Sequence, residues 1–418
     1  MHFLFLPIFL AILQVDASEF AYASTLSSND FLLAARVLAY RLNSFNDYPY
    51  IIVATEEITN RSLEYLKKMN VTIVVMPKIE TPYKSTHIAA KYQYSKINLW
   101  SLTQYKRILH LDLDTLPMRP MGEIFKCGSF CVTNRHSDRF NTGVFVMEPN
   151  LTIYEDMLNK VNKLDHSKIP DLLDQYDGGD QGFLNSYFDQ LKYAPMFDGT
   201  MNSFRFERPD GLRSLSWTYN YDVGMYYLNG GKMLLQPKIM HFTLGPTKPW
   251  LWWTYPAFDL NWEWLAVRIS METDFGATRK DLQLFLQTCI LLILLNVAFQ
   301  LFQWNFKGYF ADKAFTRGEA YVMPSLTILF SIIASFELIP SQTHPPNAWL
   351  FFFTYLIIWM VFISTSYRRV RTGQVVLTCE STRFACITLC LACAFWRSAI
   401  CFHNRCSFEE IDGHWESL

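Results

Sequence analysis

A chain of 418 residues exceeds one ordinary domain, so two regions are the first expectation. The formal net charge is −1, which provides no basic field, and we therefore expect no nucleic-acid partner. Hydrophobic residues make up 50% of the chain and aromatic residues 16%, which is high for a soluble globular protein, and the excess lies in the C-terminal third.

The N-terminus is an apolar run over residues 1–13, followed by small residues up to position 18. This run is too short to span a bilayer comfortably, and the pattern predicts a secretory signal peptide over residues 1–18. Because the run contains no Lys or Arg, an uncleaved anchor or a buried strand would also fit it. Three glycosylation sequons that a luminal domain could use follow it, and they begin at Asn60, Asn70 and Asn150.

Strand and helix patterns alternate from residue 19 onward. Strand patterns occupy residues 20–26, 50–54 and 71–76, and helix patterns occupy 31–42 and 62–69. An amphipathic helix over 91–102, a strand from Arg107, and short strands over 144–147 and 238–242 follow. This alternation predicts an α/β domain in which helices cover a mostly parallel sheet.

Two cysteines, Cys127 and Cys131, are the only ones before residue 280. They are close enough in sequence to pair in an oxidising lumen. A zinc half-site is the alternative, but no second pair of Cys or His residues stands at finger spacing. We therefore predict a disulfide.

The character of the chain changes after Asp281. Four apolar stretches are predicted as membrane-spanning helices, over about residues 282–304, 321–339, 348–367 and 384–402. The last of them is interrupted by Arg397, so three to four spans are expected. The pattern predicts a helical membrane region over residues 282–403 and a short tail over 404–418.

Cationic connectors determine the expected orientation. Lys and Arg residues lie between the first and second spans and between the third and fourth, and such short loops remain cytosolic. This places residues 19–281 in the lumen, on the side that a signal peptide also requires. We therefore expect a multi-pass protein of the Golgi or endoplasmic reticulum membrane with a luminal domain.

The first chemical signal is the acidic pair Asp112-Leu113-Asp114, which ends an apolar strand. Side chains two residues apart on a strand leave the same face, and ligands gather at the carboxyl end of strands in open α/β sheets. The two carboxylates therefore suit one Mn²⁺ or Mg²⁺ ion, which also binds phosphate oxygens. The alternative is a turn that happens to carry two aspartates.

Four other stretches place polar residues where a core would not need them. They are Tyr94-Ser95-Lys96-Ile97-Asn98, Phe140-Asn141-Thr142-Gly143, residues 177–185 with Asp180 and Gln181, and residues 239–250 with His241, Gly245 and Lys248. Each has a structural explanation as well. Asp180 would serve as a helix cap, Asn141 as a turn residue, His241 as a hydrogen-bonded core residue, and Lys96 as a solvated helix residue.

The order and spacing of these motifs resemble the glycogenin-type (family 8) retaining glycosyltransferases over residues 20–253. The matching pieces are Thr25-Leu26-Ser27-Ser28-Asn29-Asp30, Ser95-Lys96, Asp112-Leu113-Asp114, Asn141-Thr142-Gly143, Asp180-Gln181-Gly182 and His241…Gly245…Lys248-Pro249-Trp250. Residues 125–131, residues 241–246 and the multi-span tail resemble the membrane-bound branch typified by plant inositol phosphorylceramide glucuronosyltransferase. The resemblance implies a Rossmann-like nucleotide-sugar transferase domain with a mixed, mostly parallel sheet.

The resemblance also implies a role for each motif in binding the donor. Asp112, Asp114 and His241 would be the metal ligands, with the diphosphate of a UDP-sugar completing the shell. Lys248 and backbone groups near Gly245 would hold that diphosphate.

Other positions would contact the rest of the donor. Leu26, Ser28 and Asn29 would border the uracil and ribose, and Leu113 belongs to the same donor site. Lys96, Asn141, Asp180 and Gln181 would face the diphosphate and donor sugar, with Lys96, Asp180 and Gln181 as the catalytic candidates.

The reaction would retain the anomeric configuration. In one route Asp180 or Gln181 stabilises an oxocarbenium-like centre, and in the other the acceptor attacks from the side that UDP leaves. The sequence does not choose between the two routes.

We therefore expect a Mn²⁺-dependent enzyme that moves a sugar, with glucuronic acid as the candidate, from a UDP-sugar to a membrane lipid such as inositol phosphorylceramide or to a glycan. A carboxylated donor would need a further cation, for which the candidates are Arg135, Arg139, Arg205 and Arg208. The competing hypothesis is a membrane transporter or scaffold with a non-catalytic nucleotide-sugar-binding luminal domain. Against it, the spans show neither intramembrane carboxylates nor a repeat. Oligomeric state is not predicted.

Overall fold

The protein was analysed as a computed structural model, which describes residues 19–81, 93–134, 139–163, 179–197, 211–255, 257–305 and 317–370. The predicted signal peptide, the fourth predicted span and the tail lie outside the described residues. By the contacts among its residues the chain divides into two units. The first comprises Met1–Lys248 and Trp262–Thr278, and the second comprises Pro249–Asn261 and Arg279–Leu418.

Ten strands form two sheets in the first unit. They are β1 (Phe20–Leu26), β2 (Tyr50–Thr55), β3 (Thr72–Met76), β4 (Arg107–Leu111), β5 (Thr115–Pro117), β6 (Phe130–Asn134), β7 (Phe140–Met147), β8 (Leu212–Ser214), β9 (Tyr221–Asp222) and β10 (Ile239–His241). The larger sheet has the order β3-β2-β1-β4-β7-β6-β8. Neighbours are parallel except at β4–β7 and β7–β6, so the predicted mixed, mostly parallel sheet is confirmed.

Helices alternate with the strands as predicted. They are α1 (Leu32–Asn43), α2 (Asn60–Lys67), α3 (Leu151–Lys163), α4 (Asp180–Tyr187), α5 (Val223–Leu228) and α6 (Asn261–Phe275). All six residues of β2 are buried, because a central strand covered on both faces needs a continuous apolar run. Ser28 caps the 3₁₀ turn that leads into α1, since its hydroxyl accepts from the amide of Asp30.

The segment before β4 differs from its prediction. It is a 3₁₀ helix over Gln93–Ser101 rather than an amphipathic α-helix, and every residue from Tyr94 to Trp100 is buried. A segment enclosed on all sides has no solvent face, so its polar side chains must find partners inside the protein. Lys96 is one of these enclosed polar residues and is 5% exposed.

A second sheet of three strands has the order β5-β10-β9. Strand β10 runs antiparallel to β5, and this register pairs His241 with Thr115. The pairing brings a residue from late in the chain beside the acidic pair that ends at Asp114.

The predicted disulfide is present, with Cys127 and Cys131 bonded. It joins the end of the 3₁₀ helix Gly122–Lys126 to β6. The zinc alternative is therefore wrong.

The described residues of the second unit form three long helices, α7 (Asp281–Asn305), α8 (Arg317–Glu337) and α9 (Pro345–Val370). Two stretches among the described residues are long and apolar enough to cross a membrane, Asp281–Phe302 and Pro345–Ile363. The apolar stretch of α8, Ser325–Glu337, is shorter. Two of the predicted spans thus lie in helices of sufficient length and apolar character, and their insertion in a membrane stays a prediction.

An aromatic segment before α6 belongs to the same unit as these helices. Trp252 is 1% exposed, and its ring centroid lies 5.1 Å from those of Phe336 and Trp349. The backbone amide of Trp252 also donates to the carbonyl of Ser341 at 3.1 Å. The helical unit thus includes Pro249–Asn261, whereas the predicted boundary placed all residues before 281 in the luminal domain.

Candidate active site at the carboxyl edge of the sheet

The candidate site lies where β4 ends. Strand β4 is central in the sheet, with parallel β1 on one side and antiparallel β7 on the other. The amide of Asp112 donates to the carbonyl of Gly143 at 2.7 Å, which holds the acidic pair beside the Asn-Thr-Gly motif of β7. Ligands gather at such strand ends in open α/β sheets.

The three predicted metal ligands lie close together here. One ligand atom from each of Asp112, Asp114 and His241 lies within 4.8 Å of the other two, and we call this group the acidic cluster. Nε2 of His241 lies 3.2 Å from Oδ1 of Asp114. Two carboxylates and an imidazole are a donor set that suits a divalent cation.

The hydrogen bonds of His241 indicate which of its nitrogens faces the carboxylates. Oδ1 of Asn141 accepts from the amide of Gly143 at 3.0 Å, so Asn220, 2.9 Å from the same oxygen, must donate to it through Nδ2. The other amide atom of Asn220, Oδ1, is therefore the acceptor for Nδ1–H of His241 at 2.8 Å. This leaves Nε2, 3.2 Å from Oδ1 of Asp114, as the ring nitrogen that faces the carboxylates. Either a proton on Nε2 or a cation between the two groups makes this contact favourable, and the donor set fits a metal ion.

Gly143 is required by this arrangement. A Cβ atom built on it would lie 2.1 Å from Cε1 of His241 and 2.9 Å from both ring nitrogens. Real Cβ contacts essentially never fall below 3.0 Å. The glycine of the Asn141-Thr142-Gly143 motif therefore leaves the space that the imidazole occupies.

Lys96 is a buried cation between two carboxylates. Its Nζ lies 3.0 Å from Asp112 and 2.7 Å from Asp180, and the carbonyl of Thr142 is 3.4 Å away. Burial by itself would lower the pKa of Lys96, but the two carboxylates outweigh it and raise the pKa above the usual lysine range. The solvated-helix explanation of Lys96 is therefore wrong.

Asp112 and Asp114 remain ionised because cationic or hydrogen-bonding partners surround them. Burial would raise the pKa of Asp112, yet Lys96 and then His110 depress it well below its usual range. For Asp114 burial is again opposed, here by His241 and Lys248, and its pKa falls to about 2. Both carboxylates are thus charged and available to a cation at neutral pH.

Lys248 lies on the outer side of the cluster. Its Nζ donates to Asp114 and to the carbonyl of Phe242, both at 2.5 Å. The amide of Phe242 in turn donates to the carbonyl of Asp114 at 2.9 Å. Gly245 opens the 3₁₀ turn Gly245–Thr247 just before Lys248, and its Cα faces open space.

A second group of side chains is neutral, and we call it the amide relay: Asn220, Asn141 and Gln181. Asn141 donates to Oε1 of Gln181 at 2.9 Å and accepts from Asn220 at 2.9 Å. Because Asn220 also accepts from His241, the relay connects the acidic cluster to the start of α4. Asn141 is therefore more than the isolated turn residue of the structural alternative.

Asp180 is the first residue of α4, and the capping position before it is Gly179, so Asp180 is not the helix cap of the structural alternative. Asp180 instead accepts from the Thr142 hydroxyl at 2.8 Å and pairs with Lys96. Asn185, one turn later, exchanges two hydrogen bonds with the backbone of Phe140 at 2.9 Å each. These bonds fix α4 to the start of β7.

Two polar residues at the site were missed by the sequence analysis. Asn220 lies in a stretch whose sequence is aromatic and irregular. Its role becomes evident only from its hydrogen bond with His241, which lies later in the chain. His110 is fully buried, and its Nε2 lies 3.1 Å from Oδ1 of Asp112, while burial lowers its pKa. A signal for His110 existed, since a residue two positions before Asp112 on a strand leaves the same face.

The residues expected to border the nucleoside lie at the end of β1, which pairs with β4. Leu26 is fully buried, and Leu113 is 7% exposed. Asn29 accepts hydrogen bonds from Thr59 and from Ser62, the latter at 2.7 Å, and so ties this loop to the start of α2. The side chains of Leu26 and Asn29 thus stabilise the loop itself, and the contacts they make to a nucleoside remain a prediction.

The fold and the geometry of the site allow a comparison with known proteins. Residues 131–254 are similar to the family Glycosyl transferase family 8, and this range includes Asn141, Asp180, Gln181, His241 and Lys248. The similarity agrees with the family that the motifs predicted.

Several known proteins are similar to this chain over longer ranges. The chain is 31% identical over 268 residues to inositol phosphorylceramide glucuronosyltransferase 1 of Arabidopsis thaliana, covering 63% of this chain and 48% of that protein. It is 27% identical over 351 residues to the putative glucuronosyltransferase PGSIP7 of the same plant, covering 80% and 67%. Glycogenin-1 of Caenorhabditis elegans is 31% identical over 162 residues, covering 38% and 32%. The chain thus spans about half the length of the first of these relatives.

Proposed function

We propose that this protein is a retaining glycosyltransferase that moves a sugar from a UDP-sugar to an acceptor. The proposal rests on one observation: the acidic cluster lies next to a second group of polar side chains with a different chemistry. The acidic cluster offers two ionised carboxylates and Nε2 of an imidazole for a metal ion. Lys96, Asp180 and the amide relay lie directly beside it, at the position where a sugar attached to a metal-bound diphosphate would be.

The metal proposed for the cluster is Mn²⁺. Hard carboxylate oxygens suit both Mn²⁺ and Mg²⁺, but Mg²⁺ prefers an all-oxygen shell, so the imidazole of His241 favours Mn²⁺. The ion, when bound, supplies positive charge for the diphosphate of the leaving UDP. Lys248 lies 2.5 Å from Asp114 and is placed to hold a phosphate oxygen once the ion has taken that carboxylate.

The transfer itself breaks the bond between the anomeric carbon and the phosphate oxygen and forms a bond to the acceptor oxygen. The proton of the acceptor hydroxyl leaves with the departing phosphate. Asp180 is already paired with Lys96 and Thr142, and a carboxylate held by two partners is a poorer nucleophile than a free one. We therefore assign Asp180 and Lys96 to orienting the donor and balancing charge, and favour attack from the side that UDP leaves.

Glucuronic acid is the proposed donor sugar. Its support is the similarity of the chain to several proteins that are named as glucuronosyltransferases or putative glucuronosyltransferases. A carboxylated sugar needs a cation near the amide relay. Of the four arginine candidates only Arg139, next to β7, lies among the described residues.

A membrane lipid is the proposed acceptor, and the lumen of the secretory pathway the proposed compartment. The two apolar helices support attachment to a membrane, and the relative with 31% identity over 268 residues is named for a sphingolipid acceptor. The asparagines of the three sequons are all exposed, as glycosylation in a lumen requires. Digestion of cell-derived protein with an N-glycosidase should then increase its electrophoretic mobility, and no change in mobility would contradict the luminal placement.

The test is UDP release by the purified full-length chain in detergent, with Mn²⁺ and a panel of UDP-sugars. We expect turnover with at least one donor and a loss of about 10³-fold in Asp114→Asn, because that change removes one ligand and its charge. Asp156→Asn is the matched control, since this exposed aspartate lies on α3 and we expect its rate to be unchanged.

The competing hypothesis predicts a different result in the same experiment. A transporter or scaffold with a non-catalytic domain would bind UDP-sugar, measured by calorimetry, without releasing UDP. Equal rates in the wild type and Asp114→Asn would likewise reject the enzyme.

A further inference from the structure

A pocket adjoins the amide relay, and its walls differ in polarity. Asn141 and Asn220 of the relay line it, together with the carboxylate of Asp222. Trp217, Leu234 and Leu235 line it as well, so polar groups and apolar side chains face one cavity. Neither the metal ligands nor Lys96 line it. The pocket therefore adjoins the relay residues that we propose to bind the donor sugar, and not the residues that we propose to bind the metal.

The apolar wall of this pocket is exposed to solvent. Trp217 is 50% exposed, Leu234 is 66% exposed and Leu235 is 45% exposed. These leucines lie in the segment between α5 and β10, together with the exposed Lys232. Neighbouring exposed apolar side chains that share a cavity are a typical sign of a site that binds an apolar group.

We propose that this pocket binds an amphipathic lipid acceptor, with its polar head at Asn141 and Asn220 and its hydrocarbon along Trp217, Leu234 and Leu235. This inference rests on the proposed function and assigns the acceptor class of the same site. The polar side of the pocket is the side that contacts the relay, so the acceptor hydroxyl would enter from the head end. The cation of Lys232 beside the leucines suits an anionic lipid surface from which the acceptor would enter.

A glycan acceptor fits the same walls less well. Aliphatic side chains offer a sugar neither hydrogen bonds nor the ring face on which sugars stack, whereas hydrocarbon gains free energy from every leucine surface it covers. Trp217 alone would serve either acceptor. Leu234 and Leu235 are therefore the residues that distinguish a lipid from a polysaccharide chain.

The test is photo-crosslinking of the full-length chain in detergent micelles. The probe is an inositol phosphorylceramide that carries a diazirine in its acyl chain, and mass spectrometry maps the labelled peptides. We expect label in the peptides that contain Trp217, Leu234 and Leu235. Label in the apolar helix α7 provides an internal reference for each sample, because that helix contacts detergent and lipid whatever the pocket does.

Two pocket variants and one control sharpen the result. In Leu234→Ser with Leu235→Ser we expect label in the pocket peptides, relative to α7, to fall by about 10-fold, and in Leu234→Ser alone by about 3-fold. Leu151→Ser is the control, since Leu151 is 51% exposed on α3, outside the pocket, and its sequon is preserved. All three changes are at exposed positions, so thermal melting should be the same as in the wild type.

Three outcomes would overturn the inference: no label in the pocket peptides, equal label in the double variant and the wild type, or displacement of the probe by xylo-oligosaccharide but not by unlabelled lipid. Measuring UDP release on the same samples separates this result from the proposed function. UDP release without pocket label overturns the lipid pocket and leaves the transferase intact. Pocket label without UDP release supports the lipid pocket and rejects the transferase.

Discussion

The acidic cluster and the amide relay lie side by side, but different forces hold them. In the cluster, Asp112 and Asp114 are kept ionised by Lys96, Lys248 and His241, so its geometry depends on charges that oppose burial. In the relay, neutral amides exchange hydrogen bonds of 2.9 Å and carry no net charge. The cluster is suited to hold a cation and a diphosphate, and the relay to hold a sugar whose hydroxyl groups are neutral.

Because different forces hold the two groups, a substitution in the acidic cluster should differ in its effect from one in the amide relay. Removing one charge from the cluster leaves its partner buried and uncompensated, which costs several kcal/mol. Removing one amide from the relay leaves a hydrogen bond unmade, which costs about 1–3 kcal/mol. Variants in the two groups should therefore differ in stability as well as in activity.

The largest effect is expected for Lys96→Met. This change leaves Asp112 and Asp180 buried without their shared cation, and we expect a loss of about 3–5 kcal/mol of stability with a loss of activity of at least about 10²-fold. Thermal melting of the full chain and UDP release measure the two effects. Lys106→Met is the control, because its ion pair with Glu19 is exposed and should contribute less than about 1 kcal/mol. Equal melting temperatures for the two variants would contradict the role of Lys96.

Gly143→Ala should have the next largest effect. The new methyl group would displace the imidazole of His241, so we expect the affinity for Mn²⁺ to fall by about 10–100-fold. Titration with Mn²⁺, followed by electron paramagnetic resonance, measures this affinity.

Gly245→Ala provides the steric comparison, since nothing lies within 4 Å of a Cβ atom at that position. Its melting temperature should match the wild type, whereas that of Gly143→Ala should fall. An unchanged Mn²⁺ affinity in Gly143→Ala would exclude His241 as a ligand.

Asn220 connects the two groups, so its variants separate them. Asn220→Ala removes the acceptor of His241 Nδ1–H and the donor to Asn141, and we expect the Mn²⁺ concentration for half-maximal UDP release to rise by about 10-fold. Asn220→Asp retains the acceptor for His241 but not the donor to Asn141. This variant should keep its Mn²⁺ requirement and show a raised KM for the donor. If both variants changed only the KM, Asn220 would not position His241.

The smallest effect is a difference in acid stability. The pKa of Asp114 is lowered to about 2 in the folded protein, from an ordinary value of 3.8, so the unfolded chain binds more protons between these values. Stability from Asp114 is then fully present above about pH 4 and is lost as the pH falls toward 2, amounting to about 2 kcal/mol. Melting in the presence of a chelator over this range should show that dependence, and Asp114→Asn should weaken it.

Much of the fold could be predicted from the sequence, because the relevant signals are local. The run Tyr50–Thr55 has to be a central strand, since six consecutive residues of that type can be buried only there. The segment before β4 shows where prediction from a local pattern failed. Its apolar spacing suggested an amphipathic helix, but the helix is 3₁₀ and enclosed, and enclosure depends on which elements pack around it.

The candidate site also has residues that the sequence predicted and residues that it did not. The spacing of Asp112 and Asp114 on a strand end, and the order of the motifs, indicated a metal-dependent sugar transferase before any coordinates. Asn220 was missed, because its role depends on His241, a partner that only folding brings close, through the pairing of β10 with β5. His110 was missed although it lies only two residues before its partner Asp112.

By itself the sequence determined the class of the domain, the two carboxylates and the apolar character of the C-terminal third, since periodicity and motif order reside in neighbouring residues. Only the tertiary structure decided that Lys96 is a buried cation shared by Asp112 and Asp180, that Gly143 makes room for His241, and that leucines line a pocket beside Asn141. These are contacts between residues distant in the chain. Their energies depend on burial and on distances of about 3 Å, which no local pattern encodes.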